Sequence, residues 1–187
     1  MRQIHRVQLP RLYLGWHTPA LLKPGDATMD IAANVLSGGK NSRLYRRLVY
    51  DLQIAQDVSA FQQSQALGSN FFIIATARPG QSLDKIQAVI DEELDKLRQA
   101  APEAREVTRA INQIEANFYR SMERVGGFGG KADQLNAYYK AAGTPDYFAK
   151  DLARYQSVSP DDVRAAINQY LPKDRRVELS VVPGDKK

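Results

Sequence analysis

Four short segments of the chain have the apolar content and spacing of β-strands. In the first of them Leu12, Leu14 and Trp16 fall on one side and the intervening residues on the other, which is typical of a half-buried strand. The second and third are separated only by a short polar connection, so we expect them to form an antiparallel hairpin. The four predicted strands are residues 11–17, 54–62, 70–78 and 177–181.

Between the strands, apolar residues recur every three or four positions, which is the period of an amphipathic helix. The clearest helix follows Ser82, and its apolar face consists of Leu83, Ile86, Ile90, Leu94 and Leu97. Further helix starts are indicated at Asp26, Ser42, Glu103, after Gly130, at Thr144–Pro145–Asp146 with the proline in the first helical position, and at Ser159. The order of elements predicts one α+β domain over residues 1–187, in which helices cover one face of an antiparallel sheet.

Composition excludes several kinds of active site. The chain of 187 residues has no cysteine, which excludes disulfides, thiol catalysis and thiolate metal sites. Its two histidines, His5 and His17, belong to no zinc motif of the H-E-x-x-H or H-x-x-E-H kind, and no G-x-S-x-G nucleophile motif occurs. We therefore expect no metal and no complete active site on this chain.

The sequence also bears on membranes and on the cellular compartment. No apolar run approaches the roughly 20 residues that a membrane-spanning helix needs. The start of the chain lacks the charged and apolar regions of a signal peptide. We expect no membrane span, and the compartment stays open, a periplasmic or otherwise exported parent protein included.

The net charge of +5 raises the question of a nucleic-acid partner. Basic residues cluster within 40–47 and 173–176, but acidic residues are spread through most of the predicted helices, and no nucleic-acid-binding module is present. The pattern favours a solvated face, or a surface for acidic partners, over nucleic-acid binding.

Residues 126–131, with the sequence GGFGGK, partly match a phosphate-binding loop. Val125 stands where such a loop requires its first glycine, and Ala132 stands where a serine or threonine would bind magnesium. Nucleotide binding is therefore disfavoured. Two interpretations stay open: the glycines interrupt a helix, or they form a mobile loop that touches an extended ligand.

Three separated motifs resemble the pitrilysin/insulinase family of zinc metallopeptidases, and specifically its C-terminal type of domain. The first is GGKNSRLYRRLVY at residues 38–50, followed by IAQDV at 54–58. The second is WHTP at 16–19 with the later Asp30, and the third is ERVGGFGGKAD at 123–133. They occur in the family's order and cover nearly the whole chain.

The resemblance implies a specific role. Family members are built from repeated α+β domains, and two halves close on a peptide. Zinc and its glutamate base lie in a different domain, where a zinc-activated water hydrolyses the peptide bond. This chain would then be an accessory, substrate-enclosing domain without zinc of its own, inactive in isolation. Its partner would be a zinc-binding N-terminal-type domain of the same or another chain.

Two family residues that contact the peptide at the reaction centre, an arginine and a tyrosine seven positions later, are replaced in this chain. Aligning the first motif places Val49 at the arginine position and Gln56 at the tyrosine position. Gln56 can hydrogen-bond a peptide carbonyl, whereas Val49 cannot stabilise an oxyanion. We therefore expect no catalytic residue on this chain.

Two segments are candidates for peptide contact. The first runs from Val49 through Gln56 to Asp57, and the second is the glycine loop with Gly127, Phe128 and Gly129 at its centre. The alternative to a peptidase domain is a non-catalytic structural or interaction subunit of the same fold, like the core proteins of respiratory complexes.

Overall fold

Five strands form one mixed sheet in the computed structural model, which describes residues 1–5 and 7–184. The strands are β1 (Arg2–His5), β2 (Arg11–Thr18), β3 (Ala55–Gln63), β4 (Ser69–Ala77) and β5 (Val177–Pro183). Their order across the sheet is β1-β5-β2-β4-β3. Four of the strands match predicted segments to within two residues, and β3 and β4 form the expected antiparallel hairpin.

Strand β1 was not predicted, and its direction corrects the prediction of a purely antiparallel sheet. It runs parallel to β5, with Arg2 opposite Ser180 and Ile4 opposite Val182. A strand of four residues at a sheet edge needs no alternating pattern, because neither of its faces has to be buried. Its position depends instead on a partner more than 170 residues away in sequence.

Helices pack on one face of the sheet, as the sequence predicts. Along β2, Leu12, Leu14 and Trp16 are buried, whereas His17, on the other side of the strand, is exposed. Residues with the same orientation in neighbouring strands continue this buried face. Helices α1 (Asp26–Ser37), α2 (Leu83–Gln99) and α6 (Pro160–Tyr170) pack against it.

The first of the remaining helical elements packs on β3, and the others lie outside this inner layer. They are a π-helix (Tyr45–Asp51), α3 (Ala104–Glu123), α4 (Lys131–Ala142) and α5 (Phe148–Gln156). Helix α3 packs on α1 through Val107, Ala110 and Ile114, which are its buried residues. Among the described residues, no helix is long and apolar enough to cross a membrane.

Local signals set most helix starts, with two exceptions. Ser82 and Ser159 cap α2 and α6 as predicted, because each hydroxyl accepts a hydrogen bond from a backbone N–H in the first turn. Asp26, however, is the first helical residue of α1, and Gly25 takes the cap position with a φ of 92°. Pro145 does not start a helix, since α5 begins only at Phe148.

The glycine-rich segment separates two helices. Helix α3 ends at Glu123, and α4 starts at Lys131. The glycines therefore interrupt the helical segment as a loop outside both helices, and contact of this loop with an extended ligand stays a prediction.

Candidate functional site

The first candidate segment for peptide contact begins in the π-helix. In a π-helix each hydrogen bond spans one residue more than in an α-helix. Such helices are rare, and those that occur are frequently at functional sites. Leu48 is buried here, and Val49 packs partly buried against the core. Tyr50 is 74% exposed. Tyr50 therefore offers more contact surface than Val49, and the sequence motif did not single it out.

Two arginines fasten the π-helix to neighbouring helices. Arg43 donates two hydrogen bonds, of 2.8 and 2.7 Å, to the carboxylate of Glu106 on α3. Burial is the largest single influence on the pKa of Glu106 and raises it, but the hydrogen bonds and charge of Arg43 together with the backbone N–H of Glu103 hold that pKa below its ordinary value. Arg47 lies 3.3 Å from the carboxylate of Glu92 on α2. These arginines of the predicted basic cluster are therefore paired within the chain.

The turn after the π-helix is closed by the residue Gln53 in a left-handed conformation. Its φ is 51°, and its side chain is exposed. The backbone N–H of Ile54 then donates to the carbonyl of Leu48 at 3.0 Å, which directs the chain into β3. A non-glycine residue in this conformation is strained, because Cβ crowds the following carbonyl oxygen.

Replacing Gln53 with glycine should therefore stabilise the chain by about 0.5–1 kcal/mol, since the relieved strain exceeds the added entropy of the unfolded glycine. Urea unfolding measures the change. The matched control is Gln113→Gly, because Gln113 is an exposed residue inside α3. That substitution should destabilise by about 1 kcal/mol. Equal effects of the two would show that the φ of Gln53 carries no strain.

Gln56 is the extra residue of a β-bulge at the start of β3. Ala55 lies opposite Ala77 and Asp57 lies opposite Thr76, so Gln56 has no partner residue in β4. Its side chain is exposed. Bulges re-aim a side chain and often lie next to functional sites. The bulge leaves the amide of Gln56 accessible to a ligand.

Asp57, in contrast, takes part in contacts within the sheet. The hydroxyl of Thr76 donates to its carboxylate at 3.1 Å, and Arg11 donates to that hydroxyl at 2.9 Å. This chain of hydrogen bonds fixes Asp57 against β4. In the first candidate segment, Gln56 and Tyr50 are therefore exposed candidates for contact with a ligand, besides the exposed Gln53.

The outer edge of β3 is partly closed by a side chain of α1. Strand β3 is the last strand of the sheet, so backbone groups on one of its sides face away from β4. At Ala60 the backbone N–H donates to the hydroxyl of Ser37 at 2.7 Å, and that hydroxyl lies 3.1 Å from the Ala60 carbonyl, to which it donates. Main-chain pairing of a peptide to this edge is therefore blocked at Ala60.

Ser37→Ala should cost about 1–2 kcal/mol in the free energy of unfolding, because it leaves buried backbone groups of Ala60 without a partner. Thermal or urea unfolding gives the value. Ser157→Ala is the control, since the Ser157 hydroxyl donates to the carbonyl of Arg154 at an exposed position. Its effect should stay below about 0.5 kcal/mol. A similar cost for both variants would contradict a special role of Ser37 at the edge.

The second candidate segment is an ordered loop that holds an aromatic side chain in solvent. Phe128 at its tip is 98% exposed. Backbone hydrogen bonds from Lys131 to Arg124 at 2.7 Å and from Gly129 to the Asp133 carboxylate at 2.9 Å define the loop. Gly127, with a φ of 83°, adopts a conformation that favours glycine. The loop therefore presents Phe128 without any contact that would bury it.

The structure does not bring the two candidate segments together. Arg43 anchors the π-helix to Glu106 in the first turn of α3, whereas the glycine loop follows the last residue of α3. A helix of 20 residues is about 30 Å long. The two segments therefore lie towards opposite ends of α3, and one short peptide does not contact both.

A cluster of buried and half-buried polar groups between α1 and α5 was not predicted. Arg154 donates to Asp26 at 2.8 Å and to Asp151 at 2.6 Å, and Tyr155 donates to Asp30 at 2.9 Å. Burial raises the pKa of Asp30 to about 7, although the hydrogen bond from Tyr155 acts in the opposite direction. The only sequence signal was a pair of aspartates one turn apart, beside the buried residues of α1.

This cluster does not fit a metal centre. In the chain as described, apart from Arg6 and the last three residues, no group of three or more metal-ligating side chains is arranged to hold an ion. The arginine between the two aspartates occupies the place that a cation would need. The residues present therefore do not fit zinc, and no chemical step is assigned to a metal on this chain.

Comparisons with known proteins agree with the geometry. The family model described as the peptidase M16 inactive domain matches residues 2–114. An uncharacterized zinc protease of Streptomyces coelicolor is 29% identical over 154 residues, which cover 82% of this chain and 32% of that protein. The chain thus spans about a third of the length of this curated relative.

Solved structures share the fold. The inactive peptidase domain of a proposed zinc protease from Bordetella parapertussis has a TM-score of 0.82 at 23% identity, over 98% of this chain and 96% of that chain. A protease from Helicobacter pylori has a TM-score of 0.83 at 19% identity, over 97% of this chain and 44% of that chain. The family match covers more than half of the chain and confirms the resemblance found in the motifs. The chain belongs to the M16 peptidase family, as one of its inactive domains.

Proposed function

We propose that this chain is the accessory, substrate-enclosing domain of a zinc-dependent metalloendopeptidase. The observation that carries the proposal is the match of residues 2–114 to the inactive domain of a peptidase family. The partner is a zinc-binding domain of the same or a second chain, which supplies the metal and the general base. The contribution of this chain is to hold a peptide or protein substrate beside that domain.

The peptide-contacting surface in this proposal is the bulged start of β3. Gln56 is exposed there, and its amide has both a donor and an acceptor for a peptide main chain. The exposed ring of Tyr50 on the π-helix adds an aromatic surface. Because Arg43 and Arg47 fasten the π-helix to α3 and α2, this surface is rigid before a peptide binds.

Val49, Asp57 and the glycine loop have lesser parts in this proposal. Val49 packs the π-helix against the core. Asp57 accepts the hydrogen bond from Thr76 that holds the strand beside the bulge. The loop with Gly127, Phe128 and Gly129 is the second candidate for contact, at a site remote from the bulge. Its exposed ring suits a long substrate that extends along α3.

Gln56→Ala tests the proposal in the intact, zinc-loaded parent protein. We expect kcat/KM for peptide hydrolysis to fall roughly 3- to 10-fold at unchanged stability, which corresponds to the loss of about one ordinary hydrogen bond. The matched control is Gln63→Ala, an exposed glutamine at the other end of the same strand, about 23 Å away. The control should leave kcat/KM unchanged.

Other outcomes locate the function elsewhere. Equal kinetics of Gln56→Ala and the unmodified protein, with a loss in Phe128→Ala, would move substrate contact to the glycine loop. An intact parent that hydrolyses no unstructured peptide when loaded with zinc would contradict the peptidase proposal. That result would favour a non-catalytic structural or interaction subunit.

A further inference from the structure

Helices α1 and α5 meet across three carboxylates, two of which bind one guanidinium group. Asp26 and Asp30 come from α1, and Asp151 comes from α5. Arg154 contacts Asp26 and Asp151, and it is the one cation that bonds to this cluster within residues 1–5 and 7–184. One positive charge cannot compensate three negative charges, so the charge state of the cluster decides how strongly the helices are held together.

The three carboxylates differ in how well they are compensated. Asp26 accepts four hydrogen bonds, and its donors are the Leu22 N–H and the side chains of Gln62, Ser64 and Arg154. Asp151 accepts from Arg154 and from the hydroxyl of Tyr138. Asp30 accepts one side-chain hydrogen bond, from Tyr155 at 2.9 Å. Asp30 is therefore the carboxylate whose negative charge is least supported.

Helix α4 also contacts the cluster, through Asp151 of α5. Tyr138 is the one buried residue of α4, and its hydroxyl donates to Asp151 at 2.9 Å inside the cluster. Gln134 donates to the same hydroxyl at 2.9 Å. Helix α4 therefore contacts the cluster through Tyr138, and it also packs on α3, where the hydroxyl of Ser121 donates to the side chain of Gln134 at 3.0 Å. The glycine loop precedes α4 directly.

We propose that the contact between Asp30 and Tyr155 is a pH-dependent latch that holds α5, and with it α4, on α1. With Asp30 protonated, its side chain adds no negative charge beside Asp26 and Asp151, and α5 and α4 stay packed on the chain. Ionisation of Asp30 adds a third negative charge beside Asp26 and Asp151. This favours local detachment of α5 and α4, in which Asp30 becomes hydrated.

The sign of the pH dependence follows from the surroundings of Asp30. Burial is the main cause that raises its pKa from 3.8 to about 7; Asp26 and Asp151 also raise it, while Tyr155 and Arg154 lower it. Helix α3 packs the uncharged ring of Phe118 on Tyr155, and its Glu115 accepts a hydrogen bond from Gln156 of α5 at 3.4 Å. A raised pKa in the closed state means that the stabilisation is complete below pH 3.8 and is lost as the pH rises towards 7.

Amide hydrogen exchange of α5 tests the latch in the 187-residue chain. Rates measured at pH 5, 6, 7 and 8 and divided by the intrinsic rate at each pH give the opening equilibrium constant. Release of one proton on opening should increase this constant by up to about tenfold per pH unit between pH 5 and pH 7, with a plateau above. The amides of α2, which lies outside the cluster, should not share this dependence.

Two variants and a control separate the latch from general effects of pH. Asp30→Asn cannot ionise, so the opening constant of α5 should become independent of pH between 5 and 7. Tyr155→Phe removes a hydrogen bond that lowers the pKa of Asp30, so the plateau should move to higher pH. Asp174→Asn, at an exposed position without a hydrogen bond in the described part of the chain, should behave like the unmodified protein.

Three results would overturn the proposal. These are an unmodified chain whose α5 opening does not change between pH 5 and 7, an Asp30→Asn variant that keeps the full slope, and a Tyr155→Phe variant whose plateau does not move. The third test stays decisive even where Asp30→Asn fails to fold. None of these results depends on peptidase activity.

Discussion

Replacing Arg154 with leucine should lower the free energy of unfolding by about 3–5 kcal/mol at neutral pH, one of the two largest effects we expect in this protein. The substitution leaves Asp26, which is 1% exposed, and Asp151, which is 7% exposed, without their shared counter-charge. Since a domain of this kind is stable by only about 5–15 kcal/mol, much of its stability would be lost. Urea unfolding at pH 7 measures the effect.

The matched control for this prediction is Arg164→Leu. Arg164 pairs with Asp161 at 3.0 Å on the surface, where the arginine side chain is 44% exposed and the aspartate side chain 77%. A pair of this kind contributes at most about 1 kcal/mol. Similar losses in the two variants would mean that the buried cluster is no more important than a surface ion pair.

Ile90→Ala should cost about 2–5 kcal/mol, the other large effect. Ile90 has no exposed surface, and it lies at the centre of the apolar face of α2 that packs towards the sheet and α6. The loss combines the removed apolar contacts with the cavity that remains. Lys85→Ala on the exposed face of the same helix is the control, with an expected change below about 0.5 kcal/mol. A change that small in Ile90→Ala would contradict the burial of this face.

Regular patterns predicted the inner layer of the fold, because burial of one face imposes a period on the sequence. The face of α2 from Leu83 to Leu97 is buried as its spacing indicates. The alternation of Leu12, Leu14 and Trp16 likewise gave the orientation of β2. Serine residues with a suitable partner two or three positions later located two helix starts.

Contacts between distant residues account for the features that the sequence did not reveal. Tyr155 and Asp30 are 125 residues apart, and neither belongs to a motif that indicates their pairing. The bulge at Gln56 depends on the register of β3 against β4, which a polar segment does not specify by itself. The motif located the candidate segment from Val49 to Asp57, but only the structure shows that Gln56 lies exposed at a bulge.

The strand order has a consequence for synthesis of the chain on the ribosome. Strand β2 lies between β4 and β5, and β5 leaves the ribosome some 160 residues after β2. The local hairpin of β3 and β4 forms early, whereas pairings of such sequence separation form late. Until then one edge of β2 has unpaired backbone groups and can join a strand of another nascent chain. Completion of the sheet is thus the step at which translation rate and chaperones decide between folding and aggregation.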